Sequence, residues 1–522
     1  MNIDGVLLLE ATNINAGRRP GLGGDSSPMD PAFLSSFSRP MGPMVINDCV
    51  RAIGLPCTVV NYVDFWKTAD LLQFIDKWLI QNNVTNGCFA LSSLFQVELA
   101  LTSGTTIYEI VQELKTRYPT FKFVCGGPAL NFAMNPNQNW EPAAVFSSNN
   151  SVGLFQDWLL GNEIPEECIK IHPNGVKEYR APAGFSSRDV TLVETPHVPI
   201  LHDDYCLDSQ DTLTFEIRKG CKFNCGFCSY EFRNAKNVQD VDVEELKQFF
   251  SDAYHKFGIK TFMVADDTPN EETLKLEILW EAVKDLPEQM SIGGFNRFDV
   301  LAKRPEQIKL LDKIGFHSHL FGIESLGEDK ARKTIGKGGS KEDMYNALED
   351  IRDNYPHWFT YSSFMAGLPY DLPETWATGI NKVIKDKLIK GILLNPLYMF
   401  DIDEWHGKPT QLNSNFQLDP DKFGFIPDEE HNLISPGWSR YEIESSNIIQ
   451  RLRTKAIKSG VTHVLPFQLV MLKGLGWDGY SNSFANLIDS VTNPEPHESK
   501  IELLRDKKIS NYITAKKLTV NS

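Results

Sequence analysis

Two separate alternations of strand-like and helix-like segments run along this chain. In the first, short apolar runs at Val6–Glu10, Thr58–Val63, Cys88–Leu94, Phe121–Cys125 and Ala144–Ser148 have the length and residue types of strands. Between them, Met44–Ile53, Leu71–Gln81 and Ile107–Tyr118 repeat apolar residues at helical spacing. Most returns from strand to strand are long enough for a crossover helix, so residues 1–161 are expected to form a Rossmann-like, doubly wound parallel sheet. The Gly-, Pro- and Ser-rich stretch from Asn13 to Pro43 reads as a long loop over the carboxyl edge of that sheet, where such folds bind ligands.

The second alternation occupies residues 208–399. Strands are expected near Leu213–Arg218, Thr261–Ala265, Ser291–Asn296, His319–Ile323, Tyr361–Met365 and Ile392–Tyr398. Helical patterns at Val243–Phe257, Thr273–Lys284, Pro305–Ile314, Lys341–Asn354 and Glu374–Leu388 separate them. Six strands with intervening helices predict a closed or nearly closed parallel barrel, a partial (β/α)6 relative of the TIM barrel. Residues 162–207 carry several prolines and little periodicity, as a linker with short local elements would. Residues 400–522 have few strand signals and two helical stretches, Arg440–Ser459 and Pro466–Leu475, and are expected to form a mainly helical extension.

Composition narrows the partners. The 522 residues are 42% hydrophobic and 23% charged, which supports two or three folded domains. A formal net charge of −16 disfavours nucleic acid and anionic membranes. Two basic patches, Arg451-Leu452-Arg453-Thr454-Lys455 and Lys507-Lys508 with Lys516-Lys517, read as solvated helix faces. No basic-plus-apolar leader opens the sequence and no run of about 18 apolar residues occurs, so a cytoplasmic protein with no membrane partner is expected. Nine cysteines fit reduced thiols or metal ligands better than a disulfide framework. Cys49, Cys57, Cys88, Cys125, Cys168 and Cys206 are scattered, and the first three read as small buried hydrophobes. Cys221, Cys225 and Cys228 cluster.

That cluster carries the chemistry. Gly220-Cys221-Lys222-Phe223-Asn224-Cys225-Gly226-Phe227-Cys228-Ser229-Tyr230 follows the first expected barrel strand with C-x3-C-x2-C spacing. Three thiolates on one short loop suit three irons of a four-iron cluster and leave the fourth iron open. Lys219 and Lys222 favour the thiolate form. A structural zinc site is the alternative; it would need Cys206 or His202 as a fourth ligand.

With that spacing, and with an aromatic residue at Phe227, the segment from Thr212 to Leu397 resembles the radical S-adenosylmethionine (SAM) superfamily. The resemblance implies a 4Fe–4S cluster on the three cysteines, with SAM chelated to the open iron and Phe227 near the adenine. Asp266-Asp267 stands at the polar motif after the second strand, near the SAM amino group, although the common Gly-Gly-Glu form is absent. Glu324 and Ser325, in Gly322-Ile323-Glu324-Ser325, match the fourth-strand segment that faces the ribose and methionine. Gly367-Leu368-Pro369 with Glu374-Thr375 matches the fifth-strand segment. Arg297, with Asn296, and Asn395 end the third and sixth strands, at the edge where barrel active sites lie. The implied reaction is one-electron cleavage of SAM to methionine and a 5′-deoxyadenosyl radical, with a donor such as flavodoxin or ferredoxin. No side chain is assigned as hydrogen donor; Tyr230, Cys206 and Tyr398 read as packing or hydrogen-bonding groups.

A doubly wound domain ahead of such a barrel is similar to the cobalamin-binding arrangement of one branch of the superfamily. Ser92, in Ser92-Ser93-Leu94, and the pair Gly126-Gly127 match the segments that line the nucleotide tail there. The branch's D-x-H-x-x-G motif is absent and no histidine precedes His172, so no lower axial ligand of that type exists. No cysteine follows Cys228, which excludes auxiliary clusters in the carboxyl-terminal region. The expected function is radical SAM chemistry on a small-molecule substrate, with cobalamin-dependent methylation as one form. Radical oxidation, cyclisation or rearrangement without cobalamin, and a non-catalytic iron–sulfur sensor, are the alternatives. Trp405-His406, Trp438, His463 and Trp477 would either cover the barrel mouth or pack in the core.

Overall fold

A computed structural model describes residues 3–11, 38–92, 106–127, 142–147, 151–181, 198–229, 239–397, 402–410, 412–427, 447–461, 466–475 and 495–521, with 399, 433–435, 437 and 438. The chain forms two compact units, one of residues 1–213 with 499–522 and one of residues 214–498.

In the first unit, β1 (Gly5–Glu10), β2 (Cys57–Val60), β3 (Gly87–Ser92), β4 (Lys122–Gly126) and β5 (Ala144–Phe146) pair in parallel in the order 2-1-3-4-5. All six residues of β1 are buried, as a central strand covered on both faces requires. The crossovers include α1 (Met41–Ala52), α2 (Thr68–Gln81) and α3 (Thr106–Arg117), and α4 (Val152–Leu160) follows β5. The chain order reverses between β1 and β3, which makes that crevice the ligand-binding edge of such a sheet. Glu10, Ser92 and Gly126 lie in one row along it, in register. The loop expected from Asn13 to Pro43 falls mostly outside the described residues.

Two elements of this unit depart from their sequence patterns. The stretch 162–207 supplies β6 (Ile169–Ile171) and β7 (Lys177–Tyr179), a hairpin whose second strand extends the sheet beyond β5. Of the lysines near the carboxyl terminus, Lys507 is exposed and Lys517 partly so, but Lys508 and Lys516 are not on a solvated face. Lys508, Tyr512 and Lys516 form one buried stripe, at i, i+4 and i+8, on helix Glu495–Leu518. Lys508 pairs with Asp211 at 2.6 Å. Lys516 donates to the Thr58 hydroxyl at 2.7 Å and the Asp204 carbonyl at 2.6 Å. Asp211 also pairs with Arg39 at 2.9 Å, and Arg39 further donates to Asn61 and the Tyr205 carbonyl and lies over the Tyr512 ring at 4.5 Å.

In the second unit, β8 (Thr212–Phe215), β9 (Thr261–Val264), β10 (Ser291–Arg297), β11 (Phe316–Glu324), β12 (Phe359–Ala366) and β13 (Gly391–Pro396) lie side by side in chain order. Strictly sequential order curls such a sheet toward a barrel. Sequence accounts for the helices between. In α5 (Val243–Phe257) the Asp242 side chain caps the Glu244 N–H, Leu246, Phe249, Phe250 and Ala253 make the buried stripe, and Gly258 ends the helix in the left-handed conformation. Phe249 and Phe250 meet Phe215 and Phe262, so these strand residues face the helices. The alternate positions line the concave face. Low on that face, α6 (Pro466–Gly474) packs against β9, β10 and β11, with Val470 against Gly293. Towards the carboxyl ends it is open: Phe295, Gly322, Ser363, Met365, Leu393 and Asn395 retain exposure while their outward neighbours are buried. No helix among the described residues is long and apolar enough to cross a membrane.

Arg39→Leu removes a guanidinium that is 1% exposed and leaves buried carbonyls and a buried carboxylate short of donors. Urea unfolding of the full chain should show a loss of about 3–5 kcal/mol; a change below about 0.5 kcal/mol would show that this network contributes little.

Candidate functional site

The cysteine loop starts where β8 ends. Its entry is fixed by Asp266, which accepts the Ile217 and Arg218 N–H groups at 2.7 and 3.0 Å and pairs with the fully buried Lys275 at 2.5 Å. Arg218 in turn pairs with Glu271 at 2.8 Å and with Asp240, and Glu271 accepts the Lys222 N–H at 3.2 Å. Burial raises the Asp266 carboxyl despite these donors. Both its oxygens are engaged by the chain, which makes Asp266 an anchor of the loop. Asp267 next to it is exposed.

Each cysteine of the loop keeps partial exposure, whereas Cys49, Cys57, Cys88, Cys125 and Cys168 are buried. Burial pushes the Cys221 thiol up, and the Phe223 backbone and Thr268 hydroxyl, the latter 3.6 Å from the sulfur, pull it down. The Cys225 sulfur accepts a hydrogen bond from Arg297 Nη1 at 3.2 Å. Arg297 is held by both oxygens of Asp299, at 2.8 and 3.1 Å, and by the Gly336 carbonyl, with its plane 3.7 Å from the Phe223 ring centroid. Burial would raise the Asp299 carboxyl, but the Arg297 guanidinium overrides it and holds it below the carboxylate range.

The far half of the loop is clamped from two sides. Gly226 N–H donates to the Ile335 carbonyl at 3.2 Å, and Gly226 carbonyl accepts the Phe416 N–H at 3.0 Å. A side chain at 226 would begin 2.5 Å from the Phe416 ring, so glycine here is a packing requirement. Phe227 packs on the cluster of Ile335, Leu368, Phe416 and Phe425 together with Met365. The structure thus brings Phe227 to Leu368 and Met365. The Gly367 carbonyl itself accepts the Ser435 hydroxyl at 2.7 Å.

At the end of β11, Glu324 has a left-handed backbone, φ 67°. Its Oε1 accepts from Lys337 at 2.9 Å, while Oε2 is buried with no partner among the described residues. An orphaned carboxylate oxygen at a strand's carboxyl end suits a polar ligand. Ser325 does not do so: its hydroxyl donates to Asp371 and accepts the Gly327 N–H at 2.9 Å, and burial raises Asp371 to about 6. Trp438 is core, with its indole N–H on the Asp371 carbonyl at 3.0 Å and its ring edge-on to Trp376. Tyr230, Tyr398, His463 and Trp477 lie outside the described residues. The possible fourth zinc ligands are engaged within the first unit, His202 with Asp48 at 2.8 Å and Cys206 with the Asp204 carbonyl at 3.6 Å. Among the described residues no three His, Cys, Asp or Glu side chains gather around one ion position; thiolates that each serve a different iron have no need to.

Sequence reasoning missed Glu216, one residue past β8. Phe215 faces the helices, so Glu216 faces the concave side. One of its oxygens is buried without a partner, and burial raises the carboxyl to about 7; Lys219 and Lys275 oppose the rise, Asp266 and Asp267 add to it. The signal was available as an acidic residue at an inward position of the first barrel strand. In the first unit, Gly127 has φ 133°, a conformation that requires glycine, and its N–H reaches the Phe146 carbonyl at 3.1 Å. With Ser92 and Gly126 it forms a low, small-residue stretch of the carboxyl edge. Ser93, Leu94 and the residues after Gly127 lie outside the described residues.

The profile of the radical SAM superfamily matches residues 215–378. A bacteriochlorophyllide d C-8(2)-methyltransferase of Chlorobaculum tepidum is 25% identical over 261 residues, 48% of this chain and 54% of that protein. An uncharacterized methyltransferase of Pyrococcus horikoshii is 26% identical over 172 residues, 33% of this chain and 36% of its own. The matches thus span about half or less of these curated relatives. The radical SAM methyltransferase TsrM of Kitasatospora setae, solved with tryptophan substrate and aza-SAM, superposes with a TM-score of 0.57 at 11% identity over 95% of this chain and all of that one. The cobalamin-dependent SAM radical enzyme OxsB, solved with aqua-cobalamin, gives 0.51 at 14% identity over 88% of this chain and 62% of its own. At those identities the likeness is one of fold.

The folded chain holds a proton on Glu216 up to about pH 7, against about 4.5 for an ordinary glutamate. Its contribution to stability is therefore complete below the lower value and lost as pH rises through the higher one. Glu216→Gln, which cannot ionise, should gain thermal stability relative to the parent between about pH 5 and about pH 8. A difference in Tm that is the same at both pH values would refute this placement of the carboxyl.

Proposed function

We propose that the protein, whose residues 215–378 match the radical SAM superfamily and follow a doubly wound unit, is a radical SAM methyltransferase acting on a small molecule, with Cys221, Cys225 and Cys228 holding a 4Fe–4S cluster. The observation that carries the reading is the loop itself. Three cysteines keep partial exposure where five others are buried; one sulfur takes a guanidinium hydrogen bond, and the loop is braced by groups that are not themselves ligands. Bound there, the cluster and SAM supply the electron transfer and the adenosyl radical that the side chains cannot generate.

The chain's own residues provide place and environment. Asp266, Lys275, Arg218 and Glu271 set the entry of the loop; Ile335 and Phe416 set its exit. Phe227, against Leu368 and Met365, offers an apolar wall suited to the adenine. The unpartnered Oε2 of Glu324 is an acceptor for hydroxyl or ammonium groups of SAM. Above them, Phe295, Ser363, Met365, Leu393 and Asn395 give the substrate a mostly apolar concave face. In the first unit, Ser92, Gly126 and Gly127 at the carboxyl edge fit close approach of a bulky cofactor, which supports cobalamin there. Methyl transfer is favoured over other radical chemistry by that edge together with two curated relatives that are methyltransferases.

Anaerobic reconstitution of the full chain with iron, sulfide and hydroxocobalamin should give a protein with a cluster absorbance and bound cobalamin. With SAM and dithionite it should form 5′-deoxyadenosine, and S-adenosylhomocysteine once substrate is supplied. Cys225→Ala should lose the cluster absorbance and all SAM cleavage with unchanged circular dichroism, because the loop is not core. Normal cleavage by that variant would overturn the proposal. Cleavage by the parent without cobalamin uptake would leave the radical SAM core and remove cobalamin-dependent methylation.

A further inference from the structure

Four of the five N–H groups of Arg297 are spent on the protein, and one of them points at sulfur. Nε and Nη2 bind the two oxygens of Asp299, Nη2 also reaches the Gly336 carbonyl, and Nη1 donates to Cys225 Sγ at 3.2 Å. The backbone of Arg297 is fixed as well: its N–H donates to Asn270 Oδ1 at 2.8 Å, and the Asn270 amide returns a bond to its carbonyl at 3.0 Å. The residue is 6% exposed and its plane covers Phe223. A guanidinium held this way has no freedom to swing towards a diffusible ligand. We propose that Arg297 is a positioning residue for the cluster and raises its reduction potential through Cys225, in place of the expected contact with SAM. This rests on the reading that the loop binds a 4Fe–4S cluster.

Reduction by a one-electron donor adds one negative charge to the unit that Cys225 ligates, and no bond of the chain forms or breaks. A hydrogen-bond donor on a ligand sulfur stabilises the more negative state more than the less negative one, so it shifts the potential upward. Asp299 cancels the net charge of Arg297 at longer range. What remains is a fixed dipole with its positive end on sulfur, in a partly buried site where such a field is weakly screened. At Cys221 the hydrogen-bonding neighbours are neutral, the Phe223 backbone and the Thr268 hydroxyl at 3.6 Å. The charged donor of Arg297 acts on Cys225.

The test is a dye-mediated redox titration of the reconstituted full chain without SAM, followed by electron paramagnetic resonance of the reduced cluster, for the parent, Arg297→Gln and Arg297→Lys. Iron and sulfide content is measured on each, with SAM affinity by equilibrium dialysis. The expected result is a lower midpoint potential in Arg297→Gln, a smaller decrease in Arg297→Lys, cluster content equal to the parent's, and unchanged SAM affinity. A midpoint equal to the parent's in both variants overturns the inference, as does weaker SAM binding at unchanged potential. Loss of the cluster from both variants with an intact fold also overturns it, by making Arg297 an assembly residue. A parent chain that takes up no cluster is a different result: it removes the proposed function itself.

Discussion

A thiol that is to meet iron has to stay accessible, and an accessible loop has little core of its own to hold it. Everything around Cys221, Cys225 and Cys228 is organised by that conflict. Rigidity is imported through buried ions at the entry, where Asp266 takes two backbone N–H groups and Lys275, and through the Arg297–Asp299 pair beside the middle cysteine. Buried ion pairs of this kind add little net stability, because desolvation offsets most of the attraction. Their value lies in direction: each fixes a backbone segment or a donor at one angle, which apolar packing does less sharply.

The same device recurs in the first unit on a larger scale. Arg39, Asp211 and Lys508 are almost wholly buried and satisfy one another, while Lys516 is buried against Thr58 and Asp204. These contacts fasten the last helix to residues from early in the chain. Glu10, at the carboxyl edge beside Asn61, is raised to about 7 by burial, so the edge that would receive a cofactor carries a carboxyl close to neutrality.

Much of this was legible in the pattern of residues. The strands and helices of both alternations agree with the structure to within a few residues, since apolar runs of strand length and stripes at helical spacing are local signals. The cysteine loop was legible for the same reason, as three cysteines at most seven positions apart need no tertiary information to be recognised. The exceptions share one cause. Helix Glu495–Leu518 buries Lys508, Tyr512 and Lys516, so its inner face is as polar as its outer one and gives no amphipathic signal. Asp266 and Ser325 stand where the family pattern expects ligand contacts, yet their partners, Lys275 and Asp371, come from other segments of the chain.

By itself, then, the sequence determined the two α/β alternations, the position of the cysteine loop at the carboxyl end of a barrel strand, and the lack of any histidine before His172. Tertiary structure alone decided which polar residues are free to meet a ligand. Glu324 keeps an unpartnered oxygen, Glu216 faces the concave side with a raised carboxyl, and Arg297 is committed to Cys225. The reason is physical: residue type and spacing fix what a side chain is able to bond, but whether its bonding capacity is already used depends on groups distant in sequence that only the fold brings within 3 Å or so.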